Sequence, residues 1–346
     1  MEAPVRPQDR LYALDAFRGA AALWVVVYHL TLRYPNFLLG QDTPLEPIGF
    51  GITLQDLGII PVLWFFLISG FVISWTIDRC ATPMDFVISR VSRIYPAYWA
   101  SLAIIVGAVA LWPLPNVALQ PTQVLVNLTM LQNQLFIGNV AGVYWTLGVE
   151  VGFYIFALAV FAAGLWRFVH LFALAWVLLA IAVVPLADFG IAFPWRASHL
   201  LSLHEAPFLV AGMMLYRLWR GHGRLVSALI LGVCVDAMVG SNPLGSVATV
   251  LAVMALIGWS CRGGLRFLAA PPLLWLGSIS YSLYLVHEYP GYIVMGAADR
   301  AGMPHGLGIA AALAIALILA TAVSYGIERP AMRLIRNRWR ARTLRL

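Results

Sequence analysis

The feature that most confines this chain is a row of apolar runs, each about as long as a bilayer's hydrocarbon is thick. They fall at about 12–33, 57–77, 95–113, 143–165, 168–187, 198–219, 224–241, 243–261, 272–295 and 306–327. A helix rising 1.5 Å per residue needs about 20 such residues to cross some 30 Å. Backbone in hydrocarbon must satisfy its own hydrogen bonds, and runs this long and unalternating do so as helices. The sequence therefore predicts an all-α polytopic membrane protein of about ten transmembrane helices. Composition agrees: 62% of the 346 residues are hydrophobic and 11% are charged, under half the charge that an average soluble domain carries.

Ten crossings put both termini on one side of the membrane, and arginine indicates which side. All 22 basic residues are Arg. Eleven of them between Arg6 and Arg266, and all seven from Arg329 to Arg345, fall on the terminal side; only Arg33, Arg196 and Arg300 fall opposite. By the positive-inside rule both termini are cytoplasmic. The net charge of +7 then reads as attraction to membrane lipid, chiefly through a basic cytoplasmic tail over 329–346, and not to nucleic acid. We expect one domain over 1–346, a bundle over about 12–328 followed by that tail, with no removable signal peptide. Cys80, Cys234 and Cys261 have no paired spacing and predict neither a disulfide framework nor a metal site. The outer connection 114–142 reads equally as a surface helix or a re-entrant segment.

Ionisable groups inside a membrane are expensive, so they mark function by default. The first run carries Asp15, Arg18 and His29, and the eleven steps from Arg18 to His29 span roughly 16 Å of helix. The topology places Arg18 near the cytoplasmic face and His29 in the outer half. It brings Glu150, His204, Glu205 and His287 to similar outer depth, with Tyr281 and Tyr284 near the middle. On the cytoplasmic side, Arg90 and Arg93 share one face of a short helix expected in the 78–95 loop, joined by Arg18 and by Glu328. Guanidinium groups converging at a cytoplasmic mouth suit phosphate, which Arg binds bidentately. Arg90 and Arg93 equally fit positive-inside anchors, and Ser69 and Gly70 fit close helix packing.

The segment LDAFRGAAALWVVVYH resembles the opening of the acyltransferase-3 family of integral membrane acyltransferases, whose signature is Arg, ten residues, then His. The resemblance continues through FFLISGFVIS (65–74), RVSRIYPAYW (90–99), YWTLGVEVGFY (144–154), HEAPFLVAGMML (204–215), LGSISYSLYLVH (276–287) and IERP (327–330). It implies transfer of an acyl group, usually acetyl from acetyl-CoA, to a hydroxyl of a sugar or similar acceptor. Cell-surface glycans and glycolipids are typical acceptors; a macrolide is an alternative. It makes Arg18 and His29 the family pair, Arg90 and Arg93 the cytoplasmic pair, and Glu150 the acidic residue of its span. Val151 and Gly152 stand where many members have an acidic residue and Gln, and Glu288 where members often have an aromatic.

The expected mechanism follows. Acyl-CoA docks from the cytoplasm on Arg90, Arg93 and Arg18, with its pantetheine arm reaching toward His29. His29 acts as general base or as acyl carrier, with Glu150 orienting or balancing it. Trp145, Tyr281 and Tyr284 are candidates for positioning the sugar or the thioester, and His204, Glu205 and His287 for lining the pocket. No metal is required. The rival class is a solute transporter, since polar groups at matching depth also line permeation paths. No inverted repeat supports it.

Overall fold

The structure, a computed structural model, describes residues 11–188 and 193–343; Arg6, Arg10 and Arg345 lie outside them. Helix α1 (Tyr12–Tyr28) runs through a π-helical turn (His29–Arg33) into α2 (Tyr34–Leu38). A small antiparallel hairpin of β1 (Pro47–Gly49) and β2 (Ile52–Thr53) leads to α3 (Asp56–Ile77) and α4 (Pro83–Leu111). The short α5 (Pro121–Asn127) precedes α6 (Trp145–Ala162), which a 3-10 turn at Gly142–Tyr144 opens. Then come α7 (Val169–Asp188), α8 (Trp195–Leu200), α9 (Ala206–Arg220), α10 (Arg224–Ser241) and α11 (Leu244–Ser260). The chain closes with α12 (Pro271–Val286), α13 (Glu288–Arg300), α14 (His305–Val323), a second π turn (Ser324–Glu328) and α15 (Arg329–Thr343).

Among the described residues seven helices are long and apolar enough to cross a membrane, and Leu244–Ser260 is a shorter apolar helix. Two of the ten expected spans are broken helices. The run 198–219 divides into α8, a turn and α9, while 272–295 divides into α12 and α13 at His287. Proline explains both breaks. Pro207 and Pro290 have no N–H to donate to the carbonyls of Leu203 and Val286, so each stands in the first turn of a new helix.

The expected short helix carrying Arg90 and Arg93 is instead the opening of α4, one helix of 29 residues. A capping box starts it early. The Asp85 N–H donates to Thr82 Oγ1 (3.2 Å), and the Thr82 N–H donates to Asp85 Oδ2 (2.8 Å). Both arginines therefore ride on the membrane helix itself. The helix passes through Pro96, a residue that membrane helices tolerate where neighbours re-satisfy the backbone.

Two helix crossings are set by glycine on both sides. A Cβ at Gly70 of α3 would overlap the Leu209 carbonyl oxygen of α9, and one at Gly212 would overlap that of Leu67. A Cβ at Gly19 of α1 would stand 2.7 Å from the Gly277 nitrogen of α12, and one at Gly277 would overlap the Asp15 carbonyl oxygen. Small residues at such positions let backbones approach, which is how helices associate where no hydrophobic force separates lipid from protein. The connection 114–142 is held by side-chain amides. Asn127, fully buried, donates to the Gln123 and Gly138 carbonyls (2.8 and 3.0 Å) and accepts from the Val140 N–H (3.1 Å).

Candidate active site

Helices α1, α3, α4, α6, α12 and α15 enclose a cavity of about 390 Å³. The wall from α3 is a stripe at helical spacing: Val62, Phe65, Phe66, Ser69, Val72 and Ile73. Opposite it stand Asp15 and Arg18 from α1, Arg90 and Arg93 from α4, and Thr146, Glu150 and Tyr154 from α6. Tyr281 and Tyr284 of α12 and Met332 and Arg336 of α15 complete the lining. Its chemistry is sorted by height. Arginines crowd the end near the start of α4, and Val62, Phe65, Thr146 and Tyr284 close the other end.

Just beyond that closed end is a histidine pair. His287 Nε2 and His29 Nδ1 lie 3.1 Å apart, joining residues 258 positions distant in the chain. Each histidine sits where its helix is irregular: His29 opens the π turn after α1, and His287 is the break between α12 and α13. Such interruptions recur at functional sites because they re-aim a side chain. The neighbouring carbonyls fix the tautomers. His287 Nδ1 faces the carbonyls of Tyr284 (2.9 Å) and Leu283 (3.2 Å), so it carries the proton and leaves Nε2 as acceptor. His29 Nδ1 faces the Val25 carbonyl (3.0 Å) and that acceptor, so it too carries its proton. His29 Nε2 is left as the basic nitrogen of the pair.

Glu150 is not the partner that holds His29. Its Oε1 accepts from Ser69 Oγ (3.0 Å) and from the Tyr154 hydroxyl, and it lines the cavity between the arginines and Tyr284. At the His29 Nδ1 position, where an orienting group was expected, the structure places His287. Tyr284 separates cavity from histidines: it borders the cavity on one side and its ring lies 5.9 Å from that of His287 on the other. Its hydroxyl accepts from Thr146 Oγ1 (2.9 Å) and donates to the Val143 carbonyl (3.1 Å). Glu288, buried beside His287, accepts from the Val143 N–H (3.1 Å) at the opening of α6. Gly142 makes room for it, since a Cβ there would stand 2.7 Å from Glu288 Oε1. The residue that departed from the family pattern thus ties α13 to α6.

At the other end the four arginines differ. Arg93 is ion-paired with Glu328, which is 1% exposed, and its guanidinium lies 5.6 Å from the Tyr281 ring. Ser282 donates to the other Glu328 oxygen (2.7 Å), while Tyr281 donates to the Ile94 carbonyl (3.0 Å). Among the described residues Arg18, Arg90 and Arg336 make no ion pair with a carboxylate. Arg90 donates to Thr76 Oγ1 (3.2 Å) and Ser89 Oγ (3.0 Å). Arg336 donates to Ser92 Oγ and to the Ser89 carbonyl (3.1 Å each).

Of the residues singled out from the sequence, Arg18, Arg90, Arg93, Glu150, Tyr281 and Tyr284 line the cavity, and His29 and His287 meet beyond it. Trp145 stands one layer back, its ring 6.1 Å from that of Phe66. His204 is exposed in the turn before α9, with Glu205 beside it; neither lines the cavity. Ser69, Tyr154 and Arg336 were not anticipated as site residues. The spacing of Ser69 within the α3 stripe could have found it, whereas nothing in the tail marked Arg336 among its neighbours.

A family model described as an acyltransferase domain, that of acyltransferase-3, matches residues 11–329. The chain belongs to the acyltransferase-3 family. It is thus an acyltransferase and a multi-pass integral membrane protein. The exopolysaccharide production protein ExoZ of Rhizobium meliloti is 29% identical over 312 residues, covering 83% of this chain and 93% of the relative. The acyltransferase MdmB of Streptomyces mycarofaciens is 27% identical over 376 residues, covering 95% and 93%. No solved structure matches. The transporter reading has no counterpart in these matches.

Proposed function

We propose that this acyltransferase moves an acetyl group from acetyl-CoA, bound from the cytoplasm, to a sugar hydroxyl of a cell-surface glycan or glycolipid. It works in a bacterial inner membrane with both termini cytoplasmic. The observation that carries this reading is the two-ended site: at one end Arg18, Arg90 and Arg336, with no carboxylate paired to them among the described residues, and just past the other a histidine whose Nε2 is left as the base. The cavity between them mixes the apolar α3 stripe with hydroxyls and the Glu150 carboxylate, which suits a pantetheine arm that carries two amides. Kinship to an exopolysaccharide production protein supports a polymeric sugar acceptor.

In this reading Arg18 and Arg90 hold donor phosphates, and the thioester arrives beside Tyr284. His29 Nε2 takes the proton of the acceptor hydroxyl as its oxygen attacks the thioester carbonyl. The tetrahedral intermediate collapses, the carbon–sulfur bond breaks, and the thiolate recovers the proton from the imidazolium. His287 Nε2, accepting from His29 Nδ1, keeps the imidazole in the tautomer that makes Nε2 a base, as a carboxylate does in other catalytic systems. Glu150, held by Ser69 and Tyr154, supplies negative charge in the cavity wall that helps balance the ionised His29.

Mass spectrometry of envelope glycans from cells with and without this protein tests the acceptor. The expected outcome is one acetyl group gained per modified sugar. Unchanged glycans, with the acetyl group found on a secreted small molecule, would transfer the acceptor to that class. Rapid release of CoA from acetyl-CoA before any acceptor is added would make His29 an acyl carrier in place of a general base.

A further inference from the structure

We infer that Arg336, with Arg90, forms a separate anion subsite at the mouth of the cavity, which holds the terminal phosphate at the nucleotide end of the donor. The inference rests on acyl-CoA being the donor. It assigns a binding role to a residue that lies beyond the matched 11–329 and in what the sequence presents as a lipid-binding tail.

Four observations carry it. First, α15 is not a free tail. The Trp339 indole donates to Asp85 Oδ1 (2.8 Å) and Arg336 to Ser92 and Ser89, two rungs that lay the helix along α4. Second, Met332 and Arg336, at i and i+4, are the α15 residues that reach the cavity, so the docking brings this arginine and not its exposed neighbours Arg333 and Arg338 to the wall. Third, Arg336 and Arg90 share Ser89 as a hydrogen-bond partner, through its carbonyl and its hydroxyl respectively. Two cations that close, with no carboxylate paired to either among the described residues, repel one another until an anion bridges them. Arg90 Nε is moreover buried without a hydrogen-bond partner. Fourth, the arginines are tiered. Arg93, one helical turn further into the bundle than Arg90, is neutralised by Glu328, so on α4 and α15 the uncompensated charge that reaches the cavity, Arg90 with Arg336, lies at the mouth. An extended donor with its thioester at Tyr284 would put its most distant group there, and in CoA that group is the nucleotide with its 3′-phosphate.

Binding and turnover with paired donors test this. CoA and 3′-dephospho-CoA differ only by the phosphate in question, so wild-type protein answers without any mutation. The expected result is roughly tenfold weaker binding of 3′-dephospho-CoA, the worth of about one charge-assisted contact. Arg336→Gln should raise KM for acetyl-CoA by a similar factor, leave kcat within about twofold, and leave KM for acetyl-3′-dephospho-CoA nearly unchanged. Arg338→Gln serves as the control of equal charge loss. Equal affinity of wild type for the two nucleotides would overturn the subsite, as would an Arg336→Gln penalty that is the same for both donors. Failure of wild type to bind either nucleotide would instead overturn the donor reading on which the subsite stands.

Discussion

At the scale of single residues the site depends on which nitrogen carries which proton. His287 donates its Nδ1 proton to backbone carbonyls and offers Nε2 to His29, whose own Nε2 is then left as the base of the proposed mechanism. His29→Ala removes that base, and transfer should fall by 10²–10⁴, about what a positioned general base contributes, with protein yield unchanged. His287→Ala leaves the base but frees its orientation. The expected loss is mainly in kcat, on the order of a hundredfold, with KM for the donor little changed because His287 is far from the arginines. Equal turnover of wild type and His287→Ala would remove it from the mechanism. Arg93 and Glu328 form the buried pair of the donor end. Arg93→Gln leaves a buried carboxylate unpaired and should cost about 3–5 kcal/mol, seen as lost thermal stability in detergent. The double variant Arg93→Gln/Glu328→Gln should recover most of it, and no recovery would mean that Arg93 holds the fold by other contacts.

At the scale of elements, two glycine crossings hold the site in register. Gly19 and Gly277 let α1 and α12 touch, and those helices carry His29 and His287 at their far ends. Gly277→Ala must push them apart; overpacking of this kind costs about 1–3 kcal/mol, and here it should also widen the 3.1 Å histidine contact and lower kcat. Gly232→Ala, at a position where an added Cβ meets nothing within 4 Å, should leave both stability and activity unchanged. These features also show how far the residues could be read unaided. The depth of Arg18, Arg90, Glu150 and Tyr284 followed from helix rise and arginine bias, and all four line one cavity. What escaped was local backbone irregularity. A π turn at His29, a break at His287 and a second π turn ending at Glu328 each rotate a side chain by a fraction of a turn, and hydropathy does not register that. Regular spacing assigned Glu150 to His29, whereas the irregular turns bring His287 there. The tail was read by charge alone, which cannot tell a docked arginine from exposed neighbours such as Arg333 and Arg338.

At the scale of the whole molecule, the fold brings two chemistries together, one inside a cavity and one just beyond its Tyr284 end. One end offers guanidinium groups suited to a phosphorylated donor, the other a histidine suited to a hydroxyl. The wall between them is Tyr284 with Phe65, whose rings pack edge to face at 5.6 Å, and in the proposed mechanism the acyl group passes it to reach His29. The central claim is that His29 performs the transfer just beyond the Tyr284 end of the cavity. It is tested most directly by the rate of CoA release from acetyl-CoA by purified protein, with and without envelope glycan, for wild type and for His29→Ala. Wild type should release CoA in step with acetylated glycan, while His29→Ala still binds CoA with near wild-type affinity and releases none above background. Acceptor-dependent release by His29→Ala at the wild-type rate would contradict the account.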